Sequence, residues 1–110
     1  MIVDKNGSIT IITQENTSIK TLVSRIEADY DAYKDNHLIV NLSSLDSIGL
    51  EEIIEFLRLS NTHRADKKSF VIVSNKVNLD DMPDEIVVVP TLKEAHDIIE
   101  MDEMERDLGF

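Results

Sequence analysis

The chain has 110 residues, of which 22 are acidic and 11 basic, and its formal net charge is −11. This length suits one domain with a real hydrophobic core, while so much negative charge opposes direct binding to nucleic-acid phosphates. The absence of cysteine excludes disulfides and thiolate-bound metal centres. Because the sequence shows neither a long apolar stretch nor a secretory leader, we expect a cytoplasmic protein.

The first predicted elements are a β-hairpin and a helix. Residues 1–14 are predicted to form the hairpin, because Asn6-Gly7 is a favoured dipeptide for a two-residue turn and a β-branched run follows it. Residues 17–34 are predicted to form the helix, since apolar residues recur there at spacings of three and four. Ser18 and the two residues before it offer side-chain oxygens that can cap this helix.

Apolar segments alternate with helical patterns along the rest of the chain. Almost continuous apolar runs predict buried strands over residues 37–44, 69–75 and 86–90. Amphipathic patterns predict helices over residues 47–64 and about 91–108. Strands that alternate with helices indicate an α/β fold with a mixed, mostly parallel sheet and an antiparallel N-terminal hairpin.

We expect residues 1–110 to form a single domain that folds without metal or cofactor. Its second part is the more acidic, because residues 76–110 hold 11 acidic and 3 basic residues against 11 and 8 in residues 1–75. The strand and helix patterns predict a core that includes Ile11, Leu22, Ile26, Leu38, Val40, Ile53, Leu57, Val71, Val73, Val87 and Ile99.

No motif for catalysis or ligand binding stands out, and we predict that the chain is not an enzyme. Its three glycines are too scattered for a phosphate-binding loop. His96 and Glu100 share a helix face at i, i+4 spacing, and the carboxylates of the last helix would attract calcium. These carboxylates lack the spacing of an EF-hand loop, so a solvated helix face is the simpler interpretation. We therefore predict neither a metal nor a cofactor.

A more specific segment, residues 41–50, reads Asn-Leu-Ser-Ser-Leu-Asp-Ser-Ile-Gly-Leu and joins a buried strand to a helix. Asp46 or Ser47 is predicted to lie where the helix begins. Backbone N–H groups at such a position lack intrahelical partners, and the helix dipole is positive there. Ser47 is therefore interpreted first as an N-cap, and also as a position where an added phosphate finds donors.

This segment and the order of elements resemble the STAS domain, and more closely the bacterial anti-sigma factor antagonists. In that family, Asp-Ser-Ser-Gly-Leu opens a helix after a strand that ends in Asp-Leu or Asn-Leu. The resemblance matches Asp46 to the motif aspartate, Ser47 to the serine that a partner kinase phosphorylates, and Gly49 and Leu50 to the glycine and leucine. It implies a non-catalytic regulatory domain whose unphosphorylated form binds a protein partner, such as an anti-sigma factor or serine kinase.

Two departures from the motif keep another interpretation open. Ile48 stands in place of the second serine, and the stretch between Leu42 and Asp46 is about three residues shorter than in the family. Both favour a stand-alone STAS-like accessory or structural module without a phosphoswitch. A small enzyme or ligand-binding domain is the remaining alternative.

The C-terminal helix is the second candidate contact region. Thr91 precedes it as a predicted N-cap, with Glu94 at capping-box spacing. Its apolar positions Met101, Met104, Leu108 and Phe110 continue beyond the length that the sheet needs. On an acidic background they suit docking to a basic, apolar groove of a partner or to a second copy in a homodimer. The alternative is that they fold back onto the domain's own core.

Overall fold

A five-stranded sheet runs through the computed structural model, which describes residues 1–15, 18–45 and 48–108. The strands lie side by side in chain order: β1 (Ile2–Asn6), β2 (Ile9–Thr13), β3 (His37–Asn41), β4 (Phe70–Val73) and β5 (Val87–Val89). β1 pairs with β2 in the antiparallel direction, and the other three pairs are parallel. The predicted α/β class, mixed sheet and N-terminal hairpin are confirmed.

The hairpin turn lies one residue later than the sequence predicts. Asn6 pairs with Ile9, so the two central residues are Gly7 and Ser8 rather than Asn6 and Gly7. Gly7 has a φ of +62°. A positive φ at the first central residue alone is the pattern of a type II′ turn, in which glycine is preferred at that position.

Five α-helices connect and follow the strands in the described ranges. They are α1 (Ile19–Ala28), α2 (Tyr30–Tyr33), α3 (Leu50–Ile54), α4 (Leu57–Ala65) and α5 (Leu92–Asp107), and a short 3₁₀ turn covers Leu79–Asp81. The side chains of Ser18 and Thr91 accept the expected capping hydrogen bonds at the starts of α1 and α5. In the described part of the chain, no helix has the length and apolar character needed to cross a bilayer.

Two of the three predicted long helices are each split in two, which corrects the sequence analysis. The first breaks at Asp29, whose φ of −105° and ψ of 20° take the backbone out of the helical range. The second breaks between Ile54 and Leu57, and the intervening Phe56 is fully buried. An apolar stripe at helical spacing does not reveal such a break, because both halves bury residues against the same sheet.

The two faces of the sheet carry separate parts of the core. On one face, α1, α3 and α4 pack Leu22, Ile53 and Phe56 against β-strand residues that include Leu38 and Ile72. On the other face, α5 packs Ala95 and Ile99 against β3, β4 and β5. Strands that are covered on both sides explain the continuous apolar runs in the sequence.

Most of the predicted core residues are buried. Eight of the eleven are fully enclosed: Leu22, Ile26, Leu38, Val40, Ile53, Val71, Val73 and Ile99. The other three, Ile11, Leu57 and Val87, are half-buried and pack against the same two clusters. Ile11 and Val87 lie on the face that α5 covers alone, where a single helix leaves part of the sheet open.

Candidate partner-binding site

The segment that follows β3 lies at the carboxyl edge of the parallel sheet, where α/β proteins commonly place their functional loops. Local hydrogen bonds hold its first residues. The Asn41 side-chain oxygen accepts from the Ser43 backbone N–H at 3.1 Å and from the Ser43 hydroxyl at 2.6 Å. The Ser44 hydroxyl donates to the Gln14 carbonyl at 2.5 Å, which joins this loop to the end of β2.

The helix after this loop begins at Leu50, later than the sequence predicts. Its N-cap is Gly49, and the Glu52 carboxylate accepts a hydrogen bond from the Gly49 backbone N–H. Ile48 is buried in the core and anchors the entry to the helix. The predicted site residues Asp46 and Ser47 lie outside the described residues. The N-cap position that the sequence analysis gave to Ser47 is held in the structure by Gly49, which has no side-chain oxygen to cap the helix.

Two apolar side chains on α3 face outward. Leu50 is 39 % exposed and Ile54 is 43 % exposed, whereas Ile53 between them is fully buried. Residues at i and i+4 lie on the same side of a helix, so Leu50 and Ile54 form one small apolar surface, which we call the α3 surface. The sequence analysis predicted Leu50 as a contact residue and did not single out Ile54. The i, i+4 spacing of Leu50 and Ile54 is visible in the sequence. The sequence does not show which side of this helix faces the sheet.

Open clefts adjoin the α3 surface, between α1 and the helices that follow β3. One, of about 460 Å³, is lined by Ile19, Lys20, Leu45 and the carboxylate-bearing Glu51, Glu52 and Glu55. The next, of about 620 Å³, is lined by residues that include Lys20, Val23, Ile54 and Glu55. The first cleft thus combines apolar side chains with three carboxylates, and Ile54 of the α3 surface lines the second.

Polar contacts near the starts of β3 and β4 tie the last helix to the sheet. His37 Nε2 lies 2.9 Å from a Glu103 carboxylate oxygen, and the Ser69 hydroxyl donates to Asp102 at 2.7 Å. His37 begins β3, and Ser69 immediately precedes β4. The second half of α5 therefore runs along the amino ends of these strands and does not extend freely into solvent.

The predicted docking residues of α5 lie on its outer side. Met101 is 55 % exposed, Met104 is 60 % exposed and Leu108 is 72 % exposed. None of the three joins the cluster that Ala95 and Ile99 form with the sheet. Phe110, the fourth predicted docking residue, lies outside the described residues.

Two of the three histidines, His37 and His63, are buried and make polar contacts inside the domain. His63 is fully buried and hydrogen-bonded to the Tyr30 hydroxyl and the Asn36 carbonyl, both at 2.7 Å. Burial lowers the pKa of His63 and of His37 below the ordinary value of 6.5, although hydrogen bonding to Asn36 and the charge of Glu103 respectively oppose this shift. Among the residues that the structure describes, no group of three or more His, Asp or Glu side chains converges to hold a metal ion.

Comparison with known proteins assigns no relationship: no protein-family model matches the chain, and neither does any curated protein.

Proposed function

We propose that this chain is a non-catalytic regulatory domain that binds a protein partner through the α3 surface, in the manner of an anti-sigma factor antagonist. Phosphorylation of Ser47 is proposed to switch that binding, and a cytoplasmic location is part of the proposal. The resemblance of residues 41–50 to the antagonist motif supports it, together with an element order of hairpin followed by alternating helices and strands.

The exposure of Leu50 and Ile54 is the observation that carries the proposal. Two large aliphatic side chains at 39 % and 43 % exposure lie together on the first turns of the helix that the motif opens. A partner can bury the part of each side chain that is exposed in the isolated domain. Burial of apolar area is the main favourable contribution to protein association. The cleft that Ile54 helps to line extends the same surface.

The charges around the α3 surface suit an electrostatic switch. Glu51, Glu52 and Glu55 line the neighbouring cleft, and Lys20 is the basic residue beside them. A phosphoserine adds about −1.5 to −2 charges at neutral pH. On Ser47 this charge is close in the sequence to the three carboxylates. It therefore raises the free-energy cost of bringing an apolar or acidic partner surface against Leu50. Phosphorylation of Ser47 is therefore expected to release the partner.

The alternative is an accessory module that binds its partner without a phosphoswitch. The burial of Ile48 favours it, since the position of the second motif serine is occupied by a core side chain. This alternative keeps the α3 surface but assigns no regulatory role to Ser47.

The test expresses the tagged full chain in its source organism, identifies the protein recovered with it, and measures the affinity of the purified pair. We expect Ser47→Ala to bind like the wild type, while Ser47→Asp and the double variant Leu50→Gln/Ile54→Gln each lose at least tenfold in affinity. Leu79→Gln is the matched control, because Leu79 is similarly exposed but lies on the 3₁₀ turn and not on α3.

The outcomes separate the two candidates. Loss of affinity in the α3 double variant, with normal binding by Ser47→Asp, supports the accessory module and overturns the switch. Wild-type affinity in the α3 double variant overturns both. Thermal melting of every variant verifies that the exposed substitutions leave the fold intact.

A further inference from the structure

The outer side of α5 has the residue spacing of a coiled-coil seam. Met101 and Met104 are three residues apart, and Leu108 follows four residues later. Apolar residues that alternate at spacings of three and four form the a and d positions along which one helix packs against another. The three side chains are the most exposed of the large apolar residues that the structure describes, and the opposite side of the helix, at Ala95 and Ile99, is buried against the sheet.

Acidic residues flank this seam on both sides. With Met101 and Leu108 at a and Met104 at d, Glu100 and Asp107 occupy g positions and Glu105 occupies an e position. All three are exposed. None belongs to the ion pairs found within the described ranges. Residues at e and g face the partner helix and select it by charge.

From this arrangement we propose that Met101, Met104 and Leu108 bind a basic amphipathic helix of a partner protein. Lysine or arginine at the partner's e and g positions would pair with Glu100, Glu105 and Asp107. A second copy of this chain fits less well, because it would bring the same carboxylates together in a protein of net charge −11. Flexible methionines suit a seam that adapts to its partner.

This surface is independent of the proposed switch. The α3 surface belongs to the helices that pack on one face of the sheet, whereas α5 covers the other face. The domain can therefore hold one partner on each face at the same time. Binding through α5 does not depend on the state of Ser47.

The polar ties of α5 determine which variants can test the proposal. Removing residues 101–110 would also remove Asp102 and Glu103, which hold the helix to Ser69 and His37. Such a truncation would confuse lost binding with lost stability. The triple variant Met101→Gln/Met104→Gln/Leu108→Gln changes only outward side chains and introduces a residue that forms helices well.

The experiment titrates the full chain with three synthetic helical peptides. The first carries leucine at a and d with lysine at e and g, the second replaces its lysines by glutamate, and the third replaces its leucines by serine. We expect the leucine–lysine peptide to bind the wild type and the Leu79→Gln control, and to bind the triple variant at least tenfold more weakly. The other two peptides should bind the wild type at least tenfold more weakly than the first.

Three results would overturn the proposal. The first is equal binding of the leucine–lysine peptide to the wild type and the triple variant. The second is equal binding of the serine–lysine peptide to the wild type, which would show attraction by charge alone. The third is a wild-type dimer in sedimentation that the triple variant abolishes, because the seam would then be covered by a second copy. Circular dichroism and thermal melting establish that the triple variant is folded.

Discussion

At the scale of single residues, the buried His63 shows how a titratable group is held neutral inside this domain. The Asn36 carbonyl can only accept a hydrogen bond, so His63 Nε2 carries the proton and donates to it. His63 Nδ1 is then the acceptor for the Tyr30 hydroxyl. A neutral ring thus satisfies both partners, whereas protonating it would turn Nδ1 into a donor and deprive the Tyr30 O–H of this acceptor.

The lowered pKa values of His63 and His37 predict that stability depends on pH. The unfolded chain binds protons at these histidines near the ordinary pKa of 6.5, whereas the folded chain resists protonation until the pH is lower. Stability is therefore highest above pH 6.5 and falls as the pH drops below it. Urea unfolding at pH 7.5 and 5.5 should show a lower free energy of unfolding at pH 5.5.

A matched variant assigns part of this effect to His63. Glutamine can donate to the Asn36 carbonyl and accept from Tyr30 without titrating, so His63→Gln should reduce the difference between the two pH values. The same difference in the variant as in the wild type would contradict a contribution from His63.

Ser60 gives a second prediction at the same scale. Its hydroxyl is fully buried, and no hydrogen-bond partner is found for it within the described residues. A buried polar group without a partner keeps its desolvation cost. Ser60→Ala should therefore leave the free energy of unfolding unchanged or raise it by up to about 1 kcal/mol.

Ser74→Ala is the control for Ser60→Ala. Ser74 is equally enclosed, but its hydroxyl oxygen accepts a hydrogen bond from the Lys76 backbone N–H at 3.2 Å. Removing it should cost about 1 kcal/mol. A loss for Ser60→Ala as large as that for Ser74→Ala, measured by urea unfolding, would show that the Ser60 hydroxyl has a stabilising partner.

At the scale of elements, the end of α4 carries an unusual backbone position. The Lys67 N–H bonds to the Arg64 carbonyl and the Lys68 N–H to the His63 carbonyl, which is the hydrogen-bond pattern of a Schellman motif. Lys67 has a φ of +65°, in the left-handed region that glycine usually occupies.

Lys67→Gly should stabilise the protein by about 0.5–1 kcal/mol. Relief of the left-handed strain, about 1–2 kcal/mol, exceeds the greater chain entropy that glycine gives the unfolded state. Lys67→Ala is the comparison, since it removes the charge and keeps a Cβ. A Tm for Lys67→Gly that does not exceed that of Lys67→Ala would contradict this account.

The sequence predicts the strands better than the helix boundaries, and the reason is physical. A strand that is buried on both faces requires a continuous apolar run, and each of β3, β4 and β5 lies within such a run. Where a helix stops depends on tertiary contacts, such as the burial of Phe56 between α3 and α4. Thr91 marked the start of α5 because its capping partner, the Glu94 backbone N–H, is local.

At the scale of the whole molecule, the division of the sheet into two faces determines which surfaces remain for partners. Helices α1, α3 and α4 share one face, and their packing leaves Leu50 and Ile54 outside. Helix α5 covers the other face alone and exposes its acidic outer side.

The sequence indicated part of the candidate site. Leu50 was predicted as a contact through the motif resemblance, and its exposure agrees with that role. Ile54 was missed because spacing alone does not tell which side of a helix faces the sheet. The outward position of Met101, Met104 and Leu108 could not be decided either, since the ties of α5 to His37 and Ser69 join residues more than 30 positions apart.

The central claim is that Ser47 controls partner binding beside the α3 surface. Its most direct test isolates the chain from its source cells, separates the partner-bound from the free fraction, and maps phosphate by mass spectrometry. Cleavage after Lys34 and Arg58 yields a peptide that contains Ser43, Ser44 and Ser47, so fragment ions must assign the modified residue. We predict phosphate on Ser47 in the free fraction and unmodified Ser47 in the bound fraction. Phosphate on Ser43 or Ser44 instead, or equal phosphorylation of Ser47 in both fractions, would contradict the account.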